Sequence, residues 1–251
     1  MSDDRKDQQD QGDRGSGSRQ PIFNLVPAVA AIAGLFIAIH AAQSIVLNDS
    51  GRSELLVWFA FIPYRLLEIA GSPGGIWPLL WTPVTHAFLH AGWDHVLLNT
   101  VWFVIFATPV AHRYGGTRMI LLFLGGAIAG ALAFAASTLP FEQFAFLVGA
   151  SGGVSGLTGA AIRFMFQPVK FGVNPETGER VLLGRELASI GDVFRHPTAR
   201  LFTIIWIVLN AGVPLLPLFM PGLAVDVAWQ AHLGGFLFGF FVVPLLERRR
   251  A

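Results

Sequence analysis

The chain contains no cysteine, so disulfides, thiolate nucleophiles and zinc–thiolate sites are excluded. Charge is nearly as scarce: Asp, Glu, Lys and Arg make up 13% of the 251 residues, against about a quarter in soluble domains. Hydrophobic residues reach 53% and mean hydropathy is +0.58. A water-soluble core is incompatible with that deficit, and the chain reads as a polytopic membrane protein. Its 28 Gly and 7 Trp fit this class, because glycine lets membrane helices approach closely and tryptophan favours the interfaces. The formal net charge of +1 gives no sign of a nucleic-acid partner, and none is expected. Residues 1–20 also lack the short apolar core behind a basic start that marks a cleavable signal peptide. Their polar, mixed-charge composition predicts a disordered tail over 1–22, with the first apolar segment retained as a membrane span.

Apolar segments long enough to cross a bilayer, at about 20 residues each, fall near 23–46, 95–112, 118–138, 149–167, 200–219 and 229–247. They predict an all-α bundle of six spans forming a single domain over 23–251. The long connection over 47–94 is rich in aromatics and prolines and too broken to span, so it reads as interfacial helices and turns. Residues 168–199 form a second long connection with NPETGE as a turn. With the N-terminus cytoplasmic, all of the 17 Lys and Arg except Arg52 and Arg65 fall on the inner side, an asymmetry that specifies orientation. Both termini are then cytoplasmic, and the setting expected is a bacterial inner membrane.

Alternate crossings fix depth. The second, fourth and sixth segments all run from outside to inside, so His95, Asn99, Ser151 and His232 each lie in the first turns below the outer face. Ser151 sits in GASG and His232 in AHLGG. A serine and a histidine at one depth are the two halves of a nucleophile–base pair, and His95 and Asn99, four apart on one helix face, supply hydrogen-bond donors for an oxyanion. Each residue also has a plainer reading. Ser151 with Gly152, Ser155, Gly156 and Gly159 makes a small-residue packing stripe, and Gly235 and Gly239 make a GxxxG. The two readings are compatible, since a glycine seam between the fourth and sixth spans would bring Ser151 towards His232. His86, His90 and His95 have a metal-like spacing but no acidic partner beyond Asp94. His86 and His90 read instead as braces of the first connection, with no metal or cofactor expected. Asp226, six residues before His232, reads as a solvated loop acid. Asn210 and Pro214 interrupt the fifth span, as in a transporter, but no mid-membrane acid accompanies them.

At these residues the chain resembles the rhomboid family of intramembrane serine proteases. The markers are HAFLHAGWDHVLLN (His86, His90, His95, Asn99), GASG with Gly149, Ser151 and Gly152, and AHLGGFLFG with His232, Gly235 and Gly239, in order on the second, fourth and sixth segments. The resemblance implies a six-helix bundle around a water-filled cavity open to the outer side. It implies Ser151 as nucleophile and His232 as general base and acid, without an acidic third member. His95, Asn99 and the Ser151 N–H would hold the oxyanion, and a transmembrane helix of another protein would be the substrate. Residues 220–228 would act as a cap. The chain departs from the family pattern twice. Trp81 is followed by Thr82 where an arginine is common. Ser155 stands where many members carry an aromatic under the catalytic histidine, so a neighbouring Phe or a hydroxyl is expected to hold His232 instead. A catalytically inactive relative that binds membrane clients is the alternative, and a transporter the more distant one.

Overall fold

The computed structural model describes residues 26–212 and 227–247. Each apolar segment produces a helix: α1 (Pro27–Val46), α4 (Trp93–Tyr114), α5 (Gly116–Thr138), α6 (Ser151–Met165), α8 (Pro197–Ala211) and α9 (Trp229–Val242), the last extended by a 3-10 turn over Val243–Leu246. Among the described residues, four stretches are long and apolar enough to cross a membrane: Pro27–Val46, Trp93–Tyr114, Gly116–Phe141 and Trp229–Leu246. The other two helices, α6 and α8, have 15 residues each. Local chemistry sets the ends. Pro27 and Pro197 occupy first-turn positions where a missing N–H costs nothing. Gly115, at φ +86°, closes α4 and starts α5 in one sharp reversal that a side chain would resist.

The connection after α1 folds as α2 (Asp49–Phe59), α3 (Thr82–Thr85) and three short 3-10 turns. The Asn48 carboxamide caps α2 by accepting from the Gly51 N–H at 2.9 Å. Arg65, only 2% exposed, anchors this region by donating to the carbonyls of Pro73, Gly75 and Val57. Trp81 contributes too, its Nε1–H donating to the Trp58 carbonyl at 2.8 Å.

The all-α expectation needs one correction. Residues 168–199 carry a β-hairpin, β1 (Val169–Val173) paired antiparallel with β2 (Arg180–Arg185), followed by the short helix α7 (Ile190–Arg195). NPETGE does form its turn: the Asn174 side chain accepts from the Glu176 N–H, and Gly178 takes φ +70°. The predicted tail over 1–22, the 220–228 cap, Asp226 and Pro214 fall partly or wholly outside the described residues.

The centre of the bundle is α5, α6 and α9, packed on one another through glycine. Gly235 meets the Gly152 carbonyl, Gly239 the Gly156 carbonyl, and Gly159 the Phe236 carbonyl, each so closely that a Cβ could not be inserted. From Gly152 to Gly156 on α6 the partner advances from Gly235 to Gly239 on α9, so the two helices run parallel and in register. From its other side α5 presents Gly126 to Gly153 and Gly156. Nearly every residue of α6 is buried. Beside this trio, Phe36, Phe88, Phe103 and Phe123 form an aromatic cluster between α1, α4 and α5. The outward faces are apolar as well: Leu97, Val101 and Ile105 on α4, Leu121 and Leu132 on α5, and Leu237 and Phe241 on α9 are all exposed. Helices that bury glycine and expose leucine are arranged for a lipid solvent.

Candidate active site

Ser151 is the first residue of α6, and the chain leading to it is tethered on its way in. Leu147 and Phe61 exchange both backbone hydrogen bonds, at 2.9 and 3.1 Å. Two residues on, the Gly149 N–H donates to the His86 carbonyl at 2.9 Å, and the Ala150 N–H donates to His90 Nε2 at 3.4 Å. His86 and His90 therefore brace more than their own connection: they hold the segment that presents Ser151. Burial holds the His86 imidazole down to about 4. Burial, with the charges of His95 and His40, takes His90 to about 3. Both rings are neutral at physiological pH, as His90 must be to accept from a backbone N–H.

Gly149 has φ +116° and lies against the His95 ring. A Cβ added there would sit 2.7 Å from His95 Nε2 and 3.8 Å from Ser151 Oγ. Glycine is required twice, for its backbone conformation and for the space the imidazole occupies. The Ala91 N–H donates to His95 Nδ1 at 3.4 Å. That ring nitrogen accepts, so the neutral ring carries its proton on Nε2, the atom that lies against Gly149. Asn99, one turn further along α4 and buried, donates from Nδ2 to the His95 carbonyl at 2.9 Å.

His232 lies in the first turn of α9. A Cβ on Gly152 would touch the Ala231 carbonyl at 3.5 Å, so the first turns of α6 and α9 stand level. With Gly149 against His95, the N-terminal ends of α4, α6 and α9 meet, and all four residues singled out by depth gather at that end. The side-chain hydrogen bond of His232 goes not to Ser151 but to α8: His232 Nδ1 and Asn210 Oδ1 are 2.7 Å apart. Among the described residues, the hydrogen-bond partner of this ring is thus an amide rather than the hydroxyl that the sequence led us to expect. Asn210 had read only as an interruption of the fifth span. As the one amide in the apolar run of α8, at the end nearest His232, it was visible in the sequence without its partner. Among the described residues, no group of His, Asp or Glu side chains is arranged to hold a metal ion.

Glycine-seamed helices with lipid-grade outer faces define an integral membrane protein of the polytopic helical class. Within that class the chain belongs to the rhomboid family, whose Rhomboid domain matches residues 78–249. It is 25% identical over 234 residues to the "Putative rhomboid protease YdcA" of Bacillus subtilis, covering 91% of this chain and 92% of that one. It is 29% identical over 222 residues to the "Rhomboid protease GluP" of the same organism, covering 86% of this chain but 35% of the relative. Human "Rhomboid-related protein 3" is 36% identical over 81 residues, 32% of this chain and 19% of that protein. The chain thus spans nearly all of one bacterial relative and a fraction of the longer ones.

Proposed function

We propose that the chain is an intramembrane serine endopeptidase that cuts transmembrane helices of other proteins near the outer face of the membrane. In this reading residues 23–251 form one six-span domain with 1–22 as its tail. Both termini are cytoplasmic, the site opens to the periplasmic side of a bacterial inner membrane, and residues 220–228 cap it.

His232 takes the Ser151 hydroxyl proton as Oγ attacks the scissile carbonyl carbon. The oxyanion is held by the Nε2–H of His95, the Asn99 amide and the Ser151 N–H. His232 then gives its proton to the leaving amine as the C–N bond breaks. Water, deprotonated by the same histidine, hydrolyses the acyl-enzyme and restores the Ser151 hydroxyl. The site must reach water for that second half, and Ser151, His95 and His232 all retain partial exposure. A substrate helix must unwind before its carbonyl can be attacked, so helix-weakening residues near the cut promote cleavage.

The observation that carries this reading is the convergence of the first turns of α4, α6 and α9, with Gly149 packed between His95 and Ser151. Names of relatives that include "protease" agree with it. The transporter reading has less support, since among the described residues no Asp or Glu is buried. The test is fluorophosphonate labelling of purified protein together with cleavage of a transmembrane reporter. Wild type labels and cuts, while Ser151→Ala and His232→Ala do neither. A folded wild type that stays unlabelled and binds the reporter without cutting it would identify a client-binding relative instead.

A further inference from the structure

We propose that Asn210 is the positioning residue of His232, fixing the tautomer in which its Nε2 is the basic nitrogen and so doing the orienting work that a carboxylate does in a Ser–His–Asp triad. The inference rests on the protease reading for its kinetic consequence, but its structural content stands apart.

The argument is a chain of donors and acceptors. Asn210 Nδ2 lies 2.7 Å from the Trp206 carbonyl, one turn back on α8. A carbonyl only accepts, so the atom facing it must be the NH2 group, which settles the orientation of the amide. The atom turned towards α9 is therefore Oδ1, 2.7 Å from His232 Nδ1. Oδ1 also only accepts, so Nδ1 must bear the ring hydrogen. A neutral imidazole has one such hydrogen, which leaves the lone pair on Nε2. In the opposite tautomer two lone pairs would face each other at hydrogen-bond distance within the bundle.

The support continues below the site. Trp206 stacks on Phe236, their ring centroids 4.4 Å apart and planes 20° from parallel. Phe236 is one turn along α9 from His232, so α8 grips α9 at two successive levels, by an aromatic stack and by a hydrogen bond. Ser155 supplies no ring beneath the histidine, and this pair of contacts from α8 orients it instead. A neutral amide suits the location better than a carboxylate, because it brings no charge to be stripped of water.

The test has a structural and a kinetic arm, both on full-length protein in detergent. In the first, 15N-histidine NMR, with His232 assigned by the resonance lost in His232→Gln, reads which ring nitrogen is protonated. The wild type is expected to show a single Nδ1–H tautomer. Asn210→Val should show a mixture, and Asn210→Asp, which keeps an acceptor oxygen, should retain Nδ1–H. In the second, Asn210→Val should lower kcat by about tenfold or more, the worth of one buried hydrogen bond, with KM and melting temperature little changed. Asn210→Asp should recover most of the loss. An Nε2–H tautomer in the wild type, or a folded Asn210→Val protein that keeps both tautomer and kcat, overturns the proposal. If Asn210→Val does not fold, the wild-type and Asn210→Asp spectra still decide. A wild type that never labels with fluorophosphonate refutes the protease reading, while the NMR arm still decides the role of Asn210.

Discussion

The glycine seam predicts that one substitution, glycine to alanine, has opposite signs at two helical positions. At Gly239 a Cβ would be driven into the Gly156 carbonyl oxygen and would lie 2.9 Å from the Gly156 Cα. Both are backbone atoms, so no side chain can turn aside and the helices themselves must part. Overpacking of this kind costs about 1–3 kcal/mol, and with backbone on both sides the upper end applies. Alanine regains roughly 0.5–1 kcal/mol of helix propensity, leaving a net destabilisation of about 2 kcal/mol. At Gly34, on the exposed face of α1, a Cβ meets nothing within 4 Å and only the propensity gain remains. For a chain of this size about 2 kcal/mol lowers the melting temperature by roughly 4–8 °C. Gly34→Ala should be neutral or raise it slightly. The assay is thermal unfolding in one detergent at fixed protein-to-detergent ratio, with probe labelling measured well below both transitions. Labelling of Gly239→Ala should fall at least about tenfold, since separating α6 from α9 misplaces Ser151 against His232. A Gly239→Ala protein that melts with the wild type would refute the seam, and equal losses at both glycines would refute the reasoning that assigns their signs.

Two further outcomes follow from the connection between α1 and α4. Arg65→Lys removes the fork that spans three carbonyls and leaves a single ammonium in its place. It should cost about 1.5–3 kcal/mol and open residues 60–80 to limited proteolysis while the helices persist; an uncleaved, equally stable variant would contradict the anchoring role. Acidification should also destabilise the fold. The folded-state values of His86 and His90, about 4 and about 3, lie below the ordinary 6.5, so the unfolded chain binds more protons between those limits. Stability is then full above pH 6.5 and falls as the pH drops towards the folded values. At pH 5 each ring costs about 2 kcal/mol. Melting temperatures from pH 8 to pH 5 check this, and replacing His86 with Gln should flatten the slope by about half.

Composition alone specified a membrane protein, because no arrangement of 13% charged residues can cover a soluble core. Apolar run lengths located the helices within a few residues, save the end of the fifth, where α8 stops at Ala211 rather than near 219, and the alternation of segments predicted one common level for His95, Asn99, Ser151 and His232. Those are one-dimensional properties, and a bilayer converts them into position along its normal. The plane of the membrane is a different matter. Which helices touch, and which faces they share, is settled by shape: Gly152 and Gly156 against Gly235 and Gly239 make α6 and α9 parallel neighbours. The hairpin over 169–185 is not legible in the sequence because its exposed strands lack the alternation of a half-buried sheet. Arg65 looked like a stray outer charge until the loop wrapped three carbonyls around it. Asn210 looked like a flaw in a span, because a hydrogen bond between residues 22 positions apart on different helices leaves no trace in spacing. The sequence determined which residues stand at one end of the bundle; only the tertiary structure decided that the histidine among them is held by an amide from α8.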